Sequence, residues 1–169
     1  MMKKLDLGCG PNKKEGFIGI DKRSYPEVDY IHDLDTFPYP FSDNEFDWIE
    51  ISHVLEHLKE PPNVLNEVYR ISKNGAIVHI ITPHYSSHLS YGDPEHKYHF
   101  GYYTFLTIEE SKRFRIKKCQ LYFTDLYKLT GVGLLANLFP KKWEKYLSFI
   151  FPALSIEVFL EVNKNGIQK

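Results

Sequence analysis

An α/β fold built on a mostly parallel sheet of about seven strands is what this sequence predicts, on three observations. Short apolar runs alternate with turn-rich or helical segments through the first half of the chain. One run, Ala76 to Thr82 (AIVHIIT), is nearly all apolar, as a strand covered on both faces requires. The segment before it carries apolar residues at helical spacing, and strand–helix–strand order argues for parallel pairing.

Taken in order, Lys4 to Gly8 is the first strand and Phe17 to Asp21 the second. Only Cys9 to Gly16 lies between them, whereas a parallel crossover usually needs a dozen or more residues. Local evidence therefore leaves two pairings open, a β-hairpin turning at PNKKEG or a parallel pair with a truncated crossover. In a hairpin Asp21 would lie at the opposite end of the sheet from Gly10. In a parallel pair the two would share one end, and Pro11 could begin a single helical turn before Gly16 reverses the chain.

Val28 to His32 is a third strand, bounded by Pro26 and by the turn-rich DLDTFPYPFSDNE. Phe46 to Ile51 is the fourth and Ala76 to Thr82 the fifth. Between them Pro61-Pro62 opens a helix whose apolar face is Val64, Leu65, Val68 and Ile71. Asn74-Gly75 reads as its left-handed stop. Ile116 to Phe123 and Ser155 to Val162 complete the sheet as an edge pair, the last strand antiparallel. The intervening apolar and aromatic stretch 131–152 predicts two short helices around Pro140, packed as a lid, with contact to a membrane surface or a partner as its alternative use.

The 169 residues suit a single domain spanning 1–169, and the formal net charge of −1 argues against a nucleic-acid partner. The basic run Lys112 to Lys118 reads as the solvated face of a strand. Two cysteines, Cys9 and Cys119, make no disulfide framework. With no signal-peptide pattern and no long uncharged apolar window, the expected location is cytoplasmic, without a transmembrane segment.

A glycine turn after the first strand, Gly8-Cys9-Gly10, suits a nucleotide-like ligand, but the dinucleotide pattern G-x-G-x-x-G fails because Lys13 stands at its third glycine. Five segments in order resemble another family. They are LDLGCG, the strand ending in Asp21, His32-Asp33-Leu34, the run YPFSDNEFDWIEISHVLEHL, and LNEVYRISKNGAIVHIITP. Together they are similar to class I S-adenosylmethionine-dependent methyltransferases of the small LxLGCGP type, of the methyltransferase-11 kind, over roughly residues 5 to 100. That resemblance implies a Rossmann-like sheet, favours the parallel pair, and implies S-adenosyl-L-methionine as cofactor. Two departures stand out: Asn12 replaces a usual glycine, and only PNKKEG replaces a usual helix. A usual helix ahead of the first strand is also missing, which implies apolar surface open to a partner subunit.

By the resemblance, Gly8, Cys9 and Gly10 face the methionine part of the cofactor and Asp6 orients their loop. Asp21 with Lys22 meets the ribose, Asp33 and Leu34 meet adenine, and Ser52 and His53 border the methyl group. Methyl transfer is an in-line displacement that needs alignment and, for a hydroxyl, a base. Histidines gather where a base is needed: His53 and His57, then His84, His88, His96 and His99. His84 or His53 is the expected base. The spacing His53-x-x-x-His57 with Glu56 is compatible with a metal site, but no cysteine cluster supports one and none is expected. The predicted function is methyl transfer to a small molecule, oxygen favoured and a sugar-linked acceptor suggested. The alternative is a catalytically silent binding module or partner subunit, and a homo-oligomer is compatible with either.

Overall fold

The computed structural model describes residues 2–165. One seven-stranded sheet runs in the order β3-β2-β1-β4-β5-β7-β6. Its strands are β1 Lys4–Leu7, β2 Ile18–Asp21, β3 Tyr30–Ile31, β4 Phe46–Ser52, β5 Ser72–Pro83, β6 Phe114–Tyr122 and β7 Ser155–Val162. β1 pairs parallel with β2, Leu5 opposite Ile18, and parallel with β4 on its other side. The truncated crossover is therefore real, and the hairpin is excluded. The edge pair also stands as predicted: β7 is antiparallel to both β5 and β6.

Helix α1 (Pro61–Ile71) forms where the spacing places it, with proline in the first turn. Val64, Val68 and Ile71 are fully buried in the core that also holds Leu5, Ile49 and Ile80. Each such side chain contributes about 1.5–3 kcal/mol of burial. The end of α1 corrects the sequence reading. Ser72, not Asn74-Gly75, stops the helix, its backbone extended and its hydroxyl donating to the Val68 carbonyl at 2.6 Å. Gly75 is left-handed (φ 79°) but lies within β5, where the pairing with β4 shifts between Phe46 opposite Ser72 and Trp48 opposite Ile77. The glycine marks a strand irregularity, not a helix cap.

After β5 come α2 (His88–Gly92) and α3 (Tyr102–Glu110). Between β6 and β7, α4 (Asp125–Leu129) comes first, and the stretch 131–152 then forms the two short helices expected of it, α5 (Val132–Leu138) and α6 (Pro140–Tyr146). Gly131, which is left-handed (φ 73°), separates α4 from α5. Pro140 opens α6 as predicted. Among the described residues no helix is long and apolar enough to cross a membrane.

The two faces of the sheet differ. On β7 Ile156, Val158, Leu160 and Val162 are buried, while Glu157, Phe159 and Glu161 between them are only half-buried. The more open face is the one that bears Glu157 and Phe159. It carries a charged chain in which Lys14 reaches Glu50 at 2.6 Å, and His79 bridges Glu50 (2.9 Å) and Glu157 (2.8 Å). Phe159 stacks on the His79 ring at 4.1 Å.

Candidate functional site

A cleft of about 520 Å³ opens at the carboxyl ends of β1, β2 and β4, within the size range of small-molecule sites. Sequence builds its floor through the two glycines, which adopt φ +75° (Gly8) and +55° (Gly10), a region that side-chain-bearing residues rarely occupy. Gly8 N–H and Cys9 N–H donate to the Ile20 carbonyl at 2.8 and 3.2 Å, binding the turn to β2. A Cβ on Gly8 would lie 2.6 Å from a methyl of Val54, so the loop after β4 sits directly on the glycine.

Asp21 Oδ2 accepts from Gly10 N–H at 2.9 Å, and Oδ1 accepts from Arg23 N–H at 2.8 Å. Gly10 and Asp21 thus share one end of the sheet, as the parallel pairing requires. The rest of the crossover is an irregular turn, without the helical turn anticipated at Pro11. Buried Asp6 accepts from Lys14 N–H at 2.9 Å, Lys13 pairs with Asp29 at 2.8 Å, and Asp29 accepts from Gly19 N–H at 2.7 Å. Burial raises the Asp6 carboxyl above its ordinary value, a rise opposed by the Lys14 N–H.

Gly8, Gly10, Asp21, Lys22, Asp33, Leu34 and His53 line the cleft together. Asp33 also accepts from Asp35 N–H at 3.0 Å, a local turn contact, and Asp35 accepts from Lys59 N–H at 2.8 Å to close that wall. His53 has φ 55° at the end of β4, and its N–H donates to the Ile81 carbonyl at 2.8 Å. Its Nδ1 lies 3.3 Å from Glu56 Oε1, and the nearby carboxylate, against an opposing effect of burial, raises the imidazole above its usual value.

Three predicted residues stand elsewhere. Asp6 acts from beneath, through Lys14. Ser52 ends β4 opposite Ile81 without joining the cleft walls. The Cys9 sulfur turns back onto Gly19, where an added Cβ would meet it at 2.7 Å. Burial, with the charges of Asp6 and Asp21, pushes that thiol up to about 11.

His84 needs a larger correction. It is completely buried, with Nδ1 2.8 Å from Ser86 Oγ and Nε2 3.1 Å from Glu144 Oε2. Its ring packs 5.3 Å from Trp143, centroid to centroid. Nε2 fastens the segment after β5 to α6 while Nδ1 is held locally by Ser86, so the structure gives His84 an architectural place. Glu144, the hub of that contact, went unread because WEKY carries no motif; its carboxylate also accepts from Tyr102 and Tyr103 N–H at 2.5 and 3.0 Å. Also unread were the cleft-lining Val54 and Lys97, although HVLEH and the irregular DPEHK segment flagged their neighbourhood; His57, one of the gathered histidines, lines the cleft too.

A family model described as a methyltransferase domain matches residues 14–80. A curated demethylmenaquinone methyltransferase of Renibacterium salmoninarum is 38% identical over 60 residues, 36% of this chain. That stretch spans about a quarter (25%) of the relative's own length. A SAM-dependent methyltransferase from Archaeoglobus fulgidus superposes with a TM-score of 0.67 at 24% identity, covering 95% of this chain and 86% of that one. The [4+2]-cyclase SpnF superposes with a TM-score of 0.64 at 16% identity, over 96% of this chain and 74% of that one.

Proposed function

We propose that the chain acts as one domain of the class I S-adenosylmethionine-dependent methyltransferase type, transferring a methyl group from S-adenosyl-L-methionine to a small molecule, a reading supported by the fold and the partial family match. The observation that carries this reading is the contact of Gly10 N–H with Asp21 at the mouth of the cleft. It sets a bare backbone turn beside a carboxylate suited to a pair of ribose hydroxyls. The cradle fits the cofactor: a side chain at Gly8 would collide with Val54, so the turn stays open. When bound, the cofactor supplies an electrophilic methyl on a cationic sulfur.

The chain's own residues then have separable tasks. Gly8 and Gly10 admit the donor, Asp21 and Lys22 hold its sugar, and Asp33 with Leu34 borders its base. His53 is the one expected base that lines the cleft, and Glu56 behind it would stabilise the imidazolium formed on taking a hydroxyl proton. An oxygen acceptor suits that arrangement. Calorimetry with S-adenosylmethionine tests the reading. Micromolar to submillimolar binding is expected, weakened at least tenfold by Asp21→Ala, a loss of about 1.4 kcal/mol. Absence of binding at millimolar cofactor would leave the silent binding module in its place.

A specific observation also favours contact with a membrane surface by the 131–152 stretch. Leu134, Leu135, Leu138 and Phe139 are 56–67% exposed, and Phe149 and Ile150 are 81% and 62% exposed. The exposed charges among them are Lys141, Lys142 and Lys145, while Glu144 points inward. Apolar side chains fringed by lysines match an anionic lipid surface. Co-sedimentation with vesicles containing anionic lipid should exceed that with neutral vesicles, and Phe149→Glu with Leu138→Glu should abolish it. Equal sedimentation with both substitutions in place would sink this reading. In this picture the protein works in the reducing cytoplasm, where its cysteines, unpaired in the structure, remain thiols.

A further inference from the structure

We propose that Glu56, His57 and His96 form a binding site for a divalent transition-metal ion beside the cleft. One potential ligand atom from each residue lies within 4.8 Å of the other two. The three come from two places in the chain. Glu56 and His57 sit on the single 3-10 turn Leu55–His57, and His96 sits on the segment between α2 and α3. Two hydrogen bonds hold these segments together: Lys97 N–H donates to the Glu56 carbonyl at 2.7 Å, and Lys97 Nζ donates to the His57 carbonyl at 2.7 Å. The two imidazoles meet edge to face, 4.6 Å between centroids.

What points to a cation is the unmet bonding capacity of the cluster. Glu56 is 1% exposed. Its Oε1 lies 3.3 Å from His53 Nδ1, and neither carboxylate oxygen has a hydrogen-bond partner among the described residues. Nδ1 of His57 is likewise buried without a partner. Removing a carboxylate from water is costly unless a partner compensates it. One ion bound by Glu56 Oε2 and His57 Nδ1 would satisfy both atoms at once. His96 is already oriented for the third bond: its Nδ1 lies 3.1 Å from the Ser90 carbonyl, which fixes the tautomer with a free lone pair on Nε2. Asp93 Oδ2, 3.9 Å from that Nε2, adds negative charge nearby.

The spacing His53-x-x-x-His57 was a misleading guide to this site. The turn is too short to align residues four apart, and His53 is exposed at φ 55°. His57 pairs with a histidine distant in sequence instead. Two imidazoles and one carboxylate suit Zn²⁺ or Fe²⁺, and not Mg²⁺ or Ca²⁺, which prefer all-oxygen sets. Ligand atoms around such an ion lie roughly 3–3.5 Å apart, so the side chains must close inward by about an ångström. Three protein ligands leave a coordination position open, and one ligand, His57, lines the cleft itself.

The test uses the full chain, stripped with a chelator and titrated calorimetrically with ZnCl₂ in the absence of S-adenosylmethionine. A single zinc per chain is expected at submicromolar affinity. His57→Ala and His96→Asn should each weaken it by about 10–100-fold, the range typical of disturbed metal shells. His88→Ala, an exposed histidine outside the cluster, should leave it unchanged. Loading with Co²⁺ should give visible ligand-field bands without a thiolate charge-transfer band. Circular dichroism of each metal-free variant confirms that it is folded. Should His57→Ala unfold the chain, His96→Asn on the exposed segment decides alone. Sub-stoichiometric zinc, or binding indifferent to His96→Asn in a folded protein, overturns the proposal. Cofactor binding is measured separately, so failure of either reading leaves the other standing.

Discussion

Replacing Gly8 by alanine measures how tightly the cleft floor is built. The backbone there has φ +75°, and forcing an L-residue into that region costs about 1–2 kcal/mol. The new Cβ would also meet Val54 methyl carbons at 2.6 and 3.0 Å. Val54 is buried, so it cannot swing into solvent, and overpacking of this kind costs about 1–3 kcal/mol. The sum is a destabilisation of about 2–5 kcal/mol. Gly10→Ala is the internal control. It is also left-handed, at φ +55°, but an added Cβ meets nothing within 4 Å, so only the conformational cost of about 1–2 kcal/mol applies. Urea unfolding followed by far-ultraviolet circular dichroism gives both values. A double-mutant cycle then adds Val54→Ala, which removes the colliding methyls and should return about 1–3 kcal/mol of the Gly8→Ala penalty as coupling energy. Equal losses for the two glycines, or a cycle with no coupling, would refute the claim that the loop after β4 rests on Gly8.

Two further outcomes follow from the charged groups. For His79, burial by itself lowers the pKa, but Glu50 and Glu157 outweigh it and the net shift is upward. Its contribution to stability is therefore complete below the unfolded value of about 6.5 and is lost as pH rises through the raised value. Glu50 and Glu157 are lowered despite burial, by His79 with Lys14 and by Tyr122 with His79, so their contributions disappear as acid protonates them. Stability of the wild type should decline from near-neutral toward alkaline pH, and His79→Gln should flatten that decline in urea titrations; an unchanged slope counts against the bridge. Glu144→Gln replaces one acceptor oxygen by a donor facing the start of α3, where Tyr102 and Tyr103 N–H now converge. A loss of about 1–3 kcal/mol is expected, read as a lowered melting temperature; a loss under about 0.5 kcal/mol would show that water replaces the carboxylate.

Sequence was most legible where local pattern and tertiary demand agree. The first five strands and α1 follow from apolar runs and spacing, the parallel pairing of the first two from the family resemblance, and β7 begins and ends at Ser155 and Val162 as expected. Asn74-Gly75 misled because a left-handed glycine serves a strand irregularity as well as a helix stop. The glycine turn and Asp21 were legible because neighbouring strand ends bring them together. His84 was misplaced for a different reason: its direction is set by Glu144, 60 residues away, on a helix whose sequence gives no sign of the contact. The grouping of His57 with His96 was hidden in the same way. It depends on backbone bonds between a turn and an irregular segment, which have no periodicity to read.

The shortened crossover remains the feature on which the functional reading turns. A helix at this position would hold the glycine turn by apolar packing. Here the same segment is held by polar contacts at successive points: Lys13 on Asp29, Lys14 N–H on Asp6, and Lys14 Nζ on Glu50. Glu50 in turn is bonded to His79, and His79 to Glu157, so the chain of contacts runs from the cleft loop across the open face to the antiparallel strand. The charged residues on that face thus hold the short crossover in place. Fold alone does not assign the reaction, since SpnF superposes on this chain yet is described as a cyclase. What supports the proposed reading is local: the short loop still presents Gly10 N–H to Asp21, a contact that a β-hairpin could not make.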